Sequence, residues 1–311
     1  MRTTPGRRAA AALLGAACVL PAAPPRAAAT PERVVVSSKI DTEGALLGNM
    51  ILLALEALGV PVLDRLQLGP TRIVRAALLA GEVDIYPEYT GNGAFFFGME
   101  DDPAWRDAAS AHATAARLDA RANNLVWLPR APANNTWAIA VRGDVARREE
   151  LRTMEDFAAA APRGALKLAA SAEFVESPAA LPAFERAYGF TMPRRRVVVL
   201  PGGETAATLR AAAQNVSGVN ASMVYGTDGA LAVLDLVVMA DTRGAQAVYE
   251  PAPVARAAVL ERHPAIAPAL SRIFSPLSLE RLRALNAEIA VEGQPPRRVA
   301  RRHLLREGVL S

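Results

Sequence analysis

Between residues 33 and 86 the chain alternates short runs of β-branched residues with longer amphipathic stretches, and this alternation restricts the fold more than any other feature. "RVVVSS" (33–38) reads as a buried strand and "EGALLGNMILLALEALG" (43–59) as a helix that ends at Gly59. "VLDRLQL" (62–68) alternates like a strand, and "PTRIVRAALLAG" (70–81) is a helix with Pro70 near its start and Gly81 past its end. "VDIY" (83–86) is a third strand. A β-α-β-α-β order predicts a mostly parallel sheet.

The pattern continues. A long helix from about Trp105 to Asn123 precedes strand "LVWL" (125–128), and "NNTWAIAV" (134–141) is another strand. Thr153 and Asp156 are spaced as a capping-box variant. "ALKLAA", "RVVVL" and "GVNASMVY" are three more strands with helices between them. From Pro253 the chain reads as mainly helical, over 253–261, 264–274, 278–291 and 296–306. With no low-complexity linker, two α/β lobes are expected to exchange the chain on strands. Ligands of open α/β sheets bind beyond the carboxyl ends of the strands.

The first 29 residues differ from the rest. "MRTTPGRR" is basic, "AAAALLGAACVL" is apolar but too short to span a bilayer, and "PAAPPRAAA" offers small-residue cleavage sites. This predicts a secretory signal peptide cut after Ala29, with Ala23 as the second choice, and a soluble product in the periplasm. Residues 1–29 hold four arginines and no acid, which accounts for the whole formal charge of +4, so the remainder is neutral. The basic balance therefore gives no reason to expect nucleic acid as a partner. The single cysteine, Cys18, lies in the leader, which leaves no thiol chemistry beyond it. A lipid anchor on Cys18 would need a leucine-like residue where Gly15 stands, so lipidation is the minority reading. About 280 residues remain, enough for two domains of ordinary size.

Catalytic constellations are scarce. His112, His263 and His303 lack metal-ligand spacing, and there is no nucleophile elbow, P-loop or dinucleotide fingerprint. "VVVLPGGETAATLR" could cradle an anion at a helix start, but a tight polar turn explains it as well. No cofactor and no metal are expected.

The aromatic residues stand out instead. Tyr86 and Tyr89 sit in "DIYPEYTGNG" just past a strand, with Pro87 fixing a turn; Trp137 starts a strand; Tyr225 and Tyr249 each end one. Tyr188 and Trp105 sit in helical contexts and read as packing. One aromatic at a strand end is ordinarily the edge of a core. Several converging on a cleft attract a quaternary ammonium through their negative ring faces.

These residues carry a resemblance. "SSKIDTEGALLGNMILLALEALGV", "AGEVDIYPEYTGNGAFFFG", "APANNTWAIAV", "SGVNASMVYGTDG" and "YEPAPVAR" resemble the substrate-binding proteins of osmoprotectant (glycine betaine, carnitine and choline) ABC importers, in particular their OsmF/YehZ-type subgroup. The resemblance covers nearly the whole chain after the leader. It implies a type II periplasmic-binding-protein fold, two α/β lobes with a ligand cleft between them. Lobe one is expected over 31–133 and 242–311, and lobe two over 134–241.

By matching motifs, the resemblance implies a cage of Tyr89, Trp137, Tyr225 and Tyr249, with Lys39 and Asn92 at the carboxylate end of the ligand. Glu88 is a candidate supporting residue or a solvent-facing one. Ser177 stands where relatives usually carry a carboxylate-binding arginine. The implied role is capture of a small quaternary-ammonium solute by a monomer and its delivery to permease and ATPase subunits of the inner membrane, without catalysis. A receptor for choline, carnitine, proline betaine or an amino acid stays open, as do a periplasmic enzyme and a sensor subunit.

Overall fold

Two five-stranded sheets organise the protein, seen in a computed structural model that describes residues 33–200 and 205–310. The expected signal peptide with Cys18, and the Gly202-Gly203 turn, lie outside the described residues. In chain order the strands are β1 Val34–Lys39, β2 Val62–Gly69, β3 Ile85–Tyr89, β4 Leu125–Trp127, β5 Trp137–Arg142, β6 Leu168–Ser171, β7 Val197–Leu200, β8 Ala221–Tyr225, β9 Leu236–Val238 and β10 Pro251–Arg256. The first sheet has the order β2-β1-β3-β10-β4 and the second β7-β6-β8-β5-β9. In the first, β1 runs parallel to β2 and β3, and β10 runs antiparallel to β3 and β4. In the second, β6 is parallel to β7 and β8, and β5 is antiparallel to β8 and β9.

Apolar helix faces cover each sheet. Leu46, Met50 and Ile51 pack with Val34, Ile273 and Leu304 in one core, and Phe157, Phe174 and Phe184 with Ile139 and Met223 in the other. The helix ends follow local chemistry. Asp41 accepts from the Gly44 amide to open the helix Thr42–Ala57, and Gly81, left-handed at φ 79°, closes Thr71–Ala80. Thr153 and Asp156 form the reciprocal capping box at Met154–Ala160. No helix among the described residues is long and apolar enough to cross a membrane.

Several expectations need correction. The long helix starts at Ala108, because Pro103–Arg106 forms a separate 3₁₀ turn whose Asp102 caps it. Residues 253–256 are strand, not helix, and Tyr249 precedes that strand instead of ending one. "LVV" at 236–238 is an unexpected edge strand. The chain passes between the sheets at 128–136 and 239–250 in loops, not on strands.

Proline explains the errors at 87 and at 253–256. Pro87 lies inside β3, not on a turn, and faces Pro253 of β10 directly. Opposed residues in an antiparallel ladder alternate between hydrogen-bonded and non-bonded pairs. Two prolines facing each other occupy a non-bonded pair, so neither missing N–H is needed there. Each would break a strand at a bonded position. The Thr90 amide donates to the Glu250 carbonyl at 3.1 Å, which continues the alternation.

The two glycines of "TGNG" make room for rings. A Cβ on Gly91 would lie 2.8 Å from the Tyr249 ring, and one on Gly93 would lie 2.7 Å from Trp105. Trp105 is fully buried and its indole N–H donates to the Met99 carbonyl at 2.7 Å, so it cannot withdraw freely. Gly93→Ala is expected to destabilise by about 1–3 kcal/mol through overpacking. A denaturant midpoint unchanged from the parent would contradict that contact.

Candidate functional site

A cleft of about 780 Å³ opens between the two sheets. Its lining includes Lys39, Tyr89, Asn92, Trp137, Tyr225 and Tyr249, so six residues from widely separated segments meet in one place. Lys39 and Tyr89 stand at the carboxyl ends of β1 and β3, and Asn92 begins the short helix Asn92–Phe97. Trp137 begins β5 and Tyr225 ends β8, directly opposite each other in the ladder. That register brings their rings nearly parallel, 24° apart with centroids 6.4 Å apart. Phe174 meets the Trp137 ring edge-on and buttresses it.

Tyr249 comes from the second crossing between the sheets, and hydrogen bonds tie that crossing to the first. The Tyr249 amide donates to the Asn134 side chain at 2.8 Å, the Asn135 amide donates to the Tyr249 carbonyl at 2.8 Å, and the Thr136 hydroxyl donates to the Ala247 carbonyl at 2.8 Å. The two crossings thus run side by side beneath the cleft, and Trp137 and Tyr249 rise from them. Burial pushes the Tyr249 phenol up to about 12 and the Tyr225 phenol upward as well, so both stay neutral rings that carry no charge of their own.

Glu88 is fully buried beneath the site, which rules out the solvent-facing reading. Its carboxylate accepts from Lys39 Nζ at 2.6 Å, Asn92 Nδ2 at 2.7 Å, the Tyr86 hydroxyl at 2.8 Å and the Tyr89 amide at 2.6 Å. Tyr86, fully buried, packs behind the wall. Tyr89 is a buried strand residue, 5 % exposed, and not a turn residue. Lys39 Nζ lies 4.4 Å from the centroid of the Tyr89 ring, so one face of that ring already serves an internal cation.

Ser177 is not among the residues that line the cleft. It ends the short helix Ala172–Glu176, half-buried, with its hydroxyl facing the Ala179 amide. Glu173, one turn earlier, does line the cleft.

Sequence reasoning missed Asp41, Glu43, Asn135, Thr227, Asp228 and Asn286, all of which line the cleft. Glu43 accepts from the Tyr89 hydroxyl at 2.7 Å and from Asn286 Nδ2 at 2.6 Å. Burial pushes its carboxyl up to about 7, against the lowering effect of hydrogen bonds from Thr227, Tyr89 and Asn286. Burial also raises Asp228 to about 6, although it accepts from the Tyr225 amide and the Thr205 hydroxyl. In the sequence Glu43 looks like an ordinary acid in the first turn of a helix. Asn286 left a signal: asparagine is a poor choice for a helix interior unless its amide has work elsewhere.

Residues 32–305 match the family described as the substrate binding domain of ABC-type glycine betaine transport systems. The chain is 52% identical over 282 residues to the glycine betaine-binding protein YehZ of Escherichia coli, covering 90% of this chain and 92% of that protein. It is 30% identical over 292 residues to a glycine-betaine-binding protein of Pseudomonas aeruginosa, covering 90% and 91%. The solved structure of apo YehZ superposes with a TM-score of 0.80, covering 89% of this chain and 99% of that one.

Proposed function

The chain belongs to the family of substrate binding domains of ABC-type glycine betaine transport systems, and we propose that it captures glycine betaine in the aromatic cleft between its lobes. The observation that carries this reading is the convergence of Tyr89, Trp137, Tyr225 and Tyr249 on one cleft. Rings select a cation that has no N–H to donate, because their attraction needs no hydrogen bond. Residues from both sheets line the cleft, so a bound solute bridges them and favours closure of lobe one (31–133 and 242–311) on lobe two (134–241). We place the mature monomer in the periplasm after removal of residues 1–29, passing its ligand to a membrane permease and its ATPase. The relatives are binding proteins, which supports a role without turnover.

One observation favours a second reading, a receptor for a solute whose far end is neutral, such as choline. Lys39 is already paired with Glu88, and Asp41, Glu43, Glu173 and Asp228 line the same cleft. A ligand carboxylate would enter among acids, with its one lysine engaged.

Titration calorimetry with glycine betaine and choline separates the readings. Betaine binding at least as tight as choline binding supports the first, and the reverse order supports the second. Trp137→Ala is expected to weaken either ligand by about 1–2 kcal/mol, roughly 5- to 30-fold, through lost cation–π attraction. Unchanged affinity in the folded variant would remove Trp137 from the cage.

A further inference from the structure

The buried carboxylate of Glu43 does more than line the cleft. It stands at the second residue of the helix Thr42–Ala57, at the foot of the first sheet. Its Oε1 accepts from the Tyr89 hydroxyl at 2.7 Å, and its Oε2 accepts from Asn286 Nδ2 at 2.6 Å. The same Asn286 nitrogen donates to the Thr227 carbonyl at 3.0 Å. Thr227 lies two residues beyond Tyr225, on the loop that leaves β8 of the second sheet. Three hydrogen bonds therefore join the Tyr89 ring of the first sheet to the loop that follows Tyr225 in the second, through the Glu43 carboxylate and the Asn286 amide.

The surrounding backbone is built for this contact. A Cβ on Gly229 would lie 2.4 Å from the Ala287 amide nitrogen and 2.5 Å from the Asn286 carbonyl carbon, so the loop presses directly on the helix Leu279–Ala290. Arg283, one turn before Ala287, donates through Nε to the Gly226 carbonyl at 2.7 Å. Asn135, from the first crossing, approaches Glu43 Oε1 at 3.4 Å.

We propose that Glu43 is the positioning residue of this cleft, holding the Tyr89 ring of the first sheet and, through Asn286, the loop that follows Tyr225 in the second. The proposal rests on the reading of the cleft as a cation-binding cage. An ionised carboxylate has lone pairs for every one of these donors, whereas a protonated one gives up an acceptor. Its hydrogen-bonding neighbours are neutral, and the nearby charge that acts on it, Asp41, is repulsive. The other charged or titratable groups around it are Lys39 and Glu88 beside Tyr89, Tyr89 itself, Asp228 on the loop, and Arg283 on the helix. A cation brought into the cleft supplies positive charge to this carboxylate and favours its ionised form. Binding then expels a proton when the free protein holds one.

Two measurements on the full chain test this. In the ligand-free protein, hydrogen exchange at amides 226–232 is expected to accelerate about tenfold or more in Glu43→Ala, with exchange in the helix Met154–Ala160 unchanged. In calorimetry with glycine betaine near pH 7, in buffers of different ionisation enthalpy, the parent is expected to release protons. Glu43→Gln is expected to lose most of this release at pH 7 and to bind about tenfold more weakly, with a flat pH profile between 7 and 8. Asp228→Asn is expected to keep the release, which separates the two acids. Exchange at 226–232 that does not respond to Glu43→Ala overturns the proposal, and so does proton release at pH 7 that survives Glu43→Gln undiminished. A parent that binds neither betaine nor choline overturns the cage reading instead, and the exchange measurement still decides whether Glu43 clasps the loop.

Discussion

Replacing Glu88 by alanine is expected to cost about 3–5 kcal/mol of folding stability, the range for breaking a buried ion pair from one side. Four donors converge on this carboxylate, from Lys39, Tyr86, Asn92 and the Tyr89 amide. The Lys39 side chain is itself 9 % exposed, so the variant strands an ammonium where water reaches it poorly. It also leaves the Tyr86 hydroxyl, fully buried, without its acceptor. Unpaired buried polar groups cost about 1–3 kcal/mol each, which places the sum toward the upper end of the range.

Ligand binding should be lost as well, because Lys39, Tyr89 and Asn92 share this anchor. Glu88→Gln separates charge from shape. It keeps an oxygen for one donor, fills the same volume and frees Lys39 from its ion pair. The expected result is a smaller loss of stability and a shift of preference from choline toward glycine betaine, since an unpaired ammonium seeks the ligand carboxylate. Urea unfolding of the three proteins checks the first part, and competitive calorimetry the second. A Glu88→Ala protein within 1 kcal/mol of the parent would mean that the network beneath the cleft contributes little.

Much of this architecture was legible because hydrophobic periodicity and helix ends are local. The runs at 33–38 and 62–68, and the glycines at 59 and 81, fall where the elements begin and end within a residue or two. Proline was misread for a physical reason. Pro87 and Pro253 break a strand only at hydrogen-bonded positions, and their mutual pairing across β3 and β10 cannot be seen from either segment alone. The ring positions were legible because Tyr, Trp and Gly cluster at strand ends. The acids beneath them were not. Glu88 in "YPEY" and Glu43 in "DTEG" have the local look of surface residues, and only the approach of segments 40 to 240 residues away buries them. The resemblance to betaine-binding proteins supplied Lys39 as a carboxylate partner but gave no hint that Glu88 engages it.

Stability of the ligand-free protein should fall as pH rises from about 4.5 to 7. Glu43 is raised from the usual 4.5 to about 7 and Asp228 from 3.8 to about 6, both chiefly by burial. In that window the folded protein holds protons that the unfolded chain has released, so each step up in pH favours the unfolded chain. A tenfold displacement of a proton equilibrium is worth about 1.4 kcal/mol, which makes each group's contribution on the order of 3 kcal/mol. His112 and His303, both lowered from 6.5 chiefly by burial, oppose this below about 6.5 and offset part of the decline, and the carboxylates that oppose it act elsewhere. Asp144 beside Arg142 and Asp235 beside Arg147 are held below the usual carboxylate range, so they add stability only as pH rises through the strongly acid region. The expected profile therefore peaks on the acid side of neutrality and declines until Glu43 is ionised. Glu43→Gln should flatten its upper part, near pH 7, and leave the lower part, which belongs to Asp228. Denaturant unfolding at half-unit steps from pH 4.5 to 8 gives the slope directly. A profile that still rises through this window after His112 and His303 are replaced by glutamine would show that neither acid is buried as described. A decline that keeps its upper part in Glu43→Gln would assign that titration to another group.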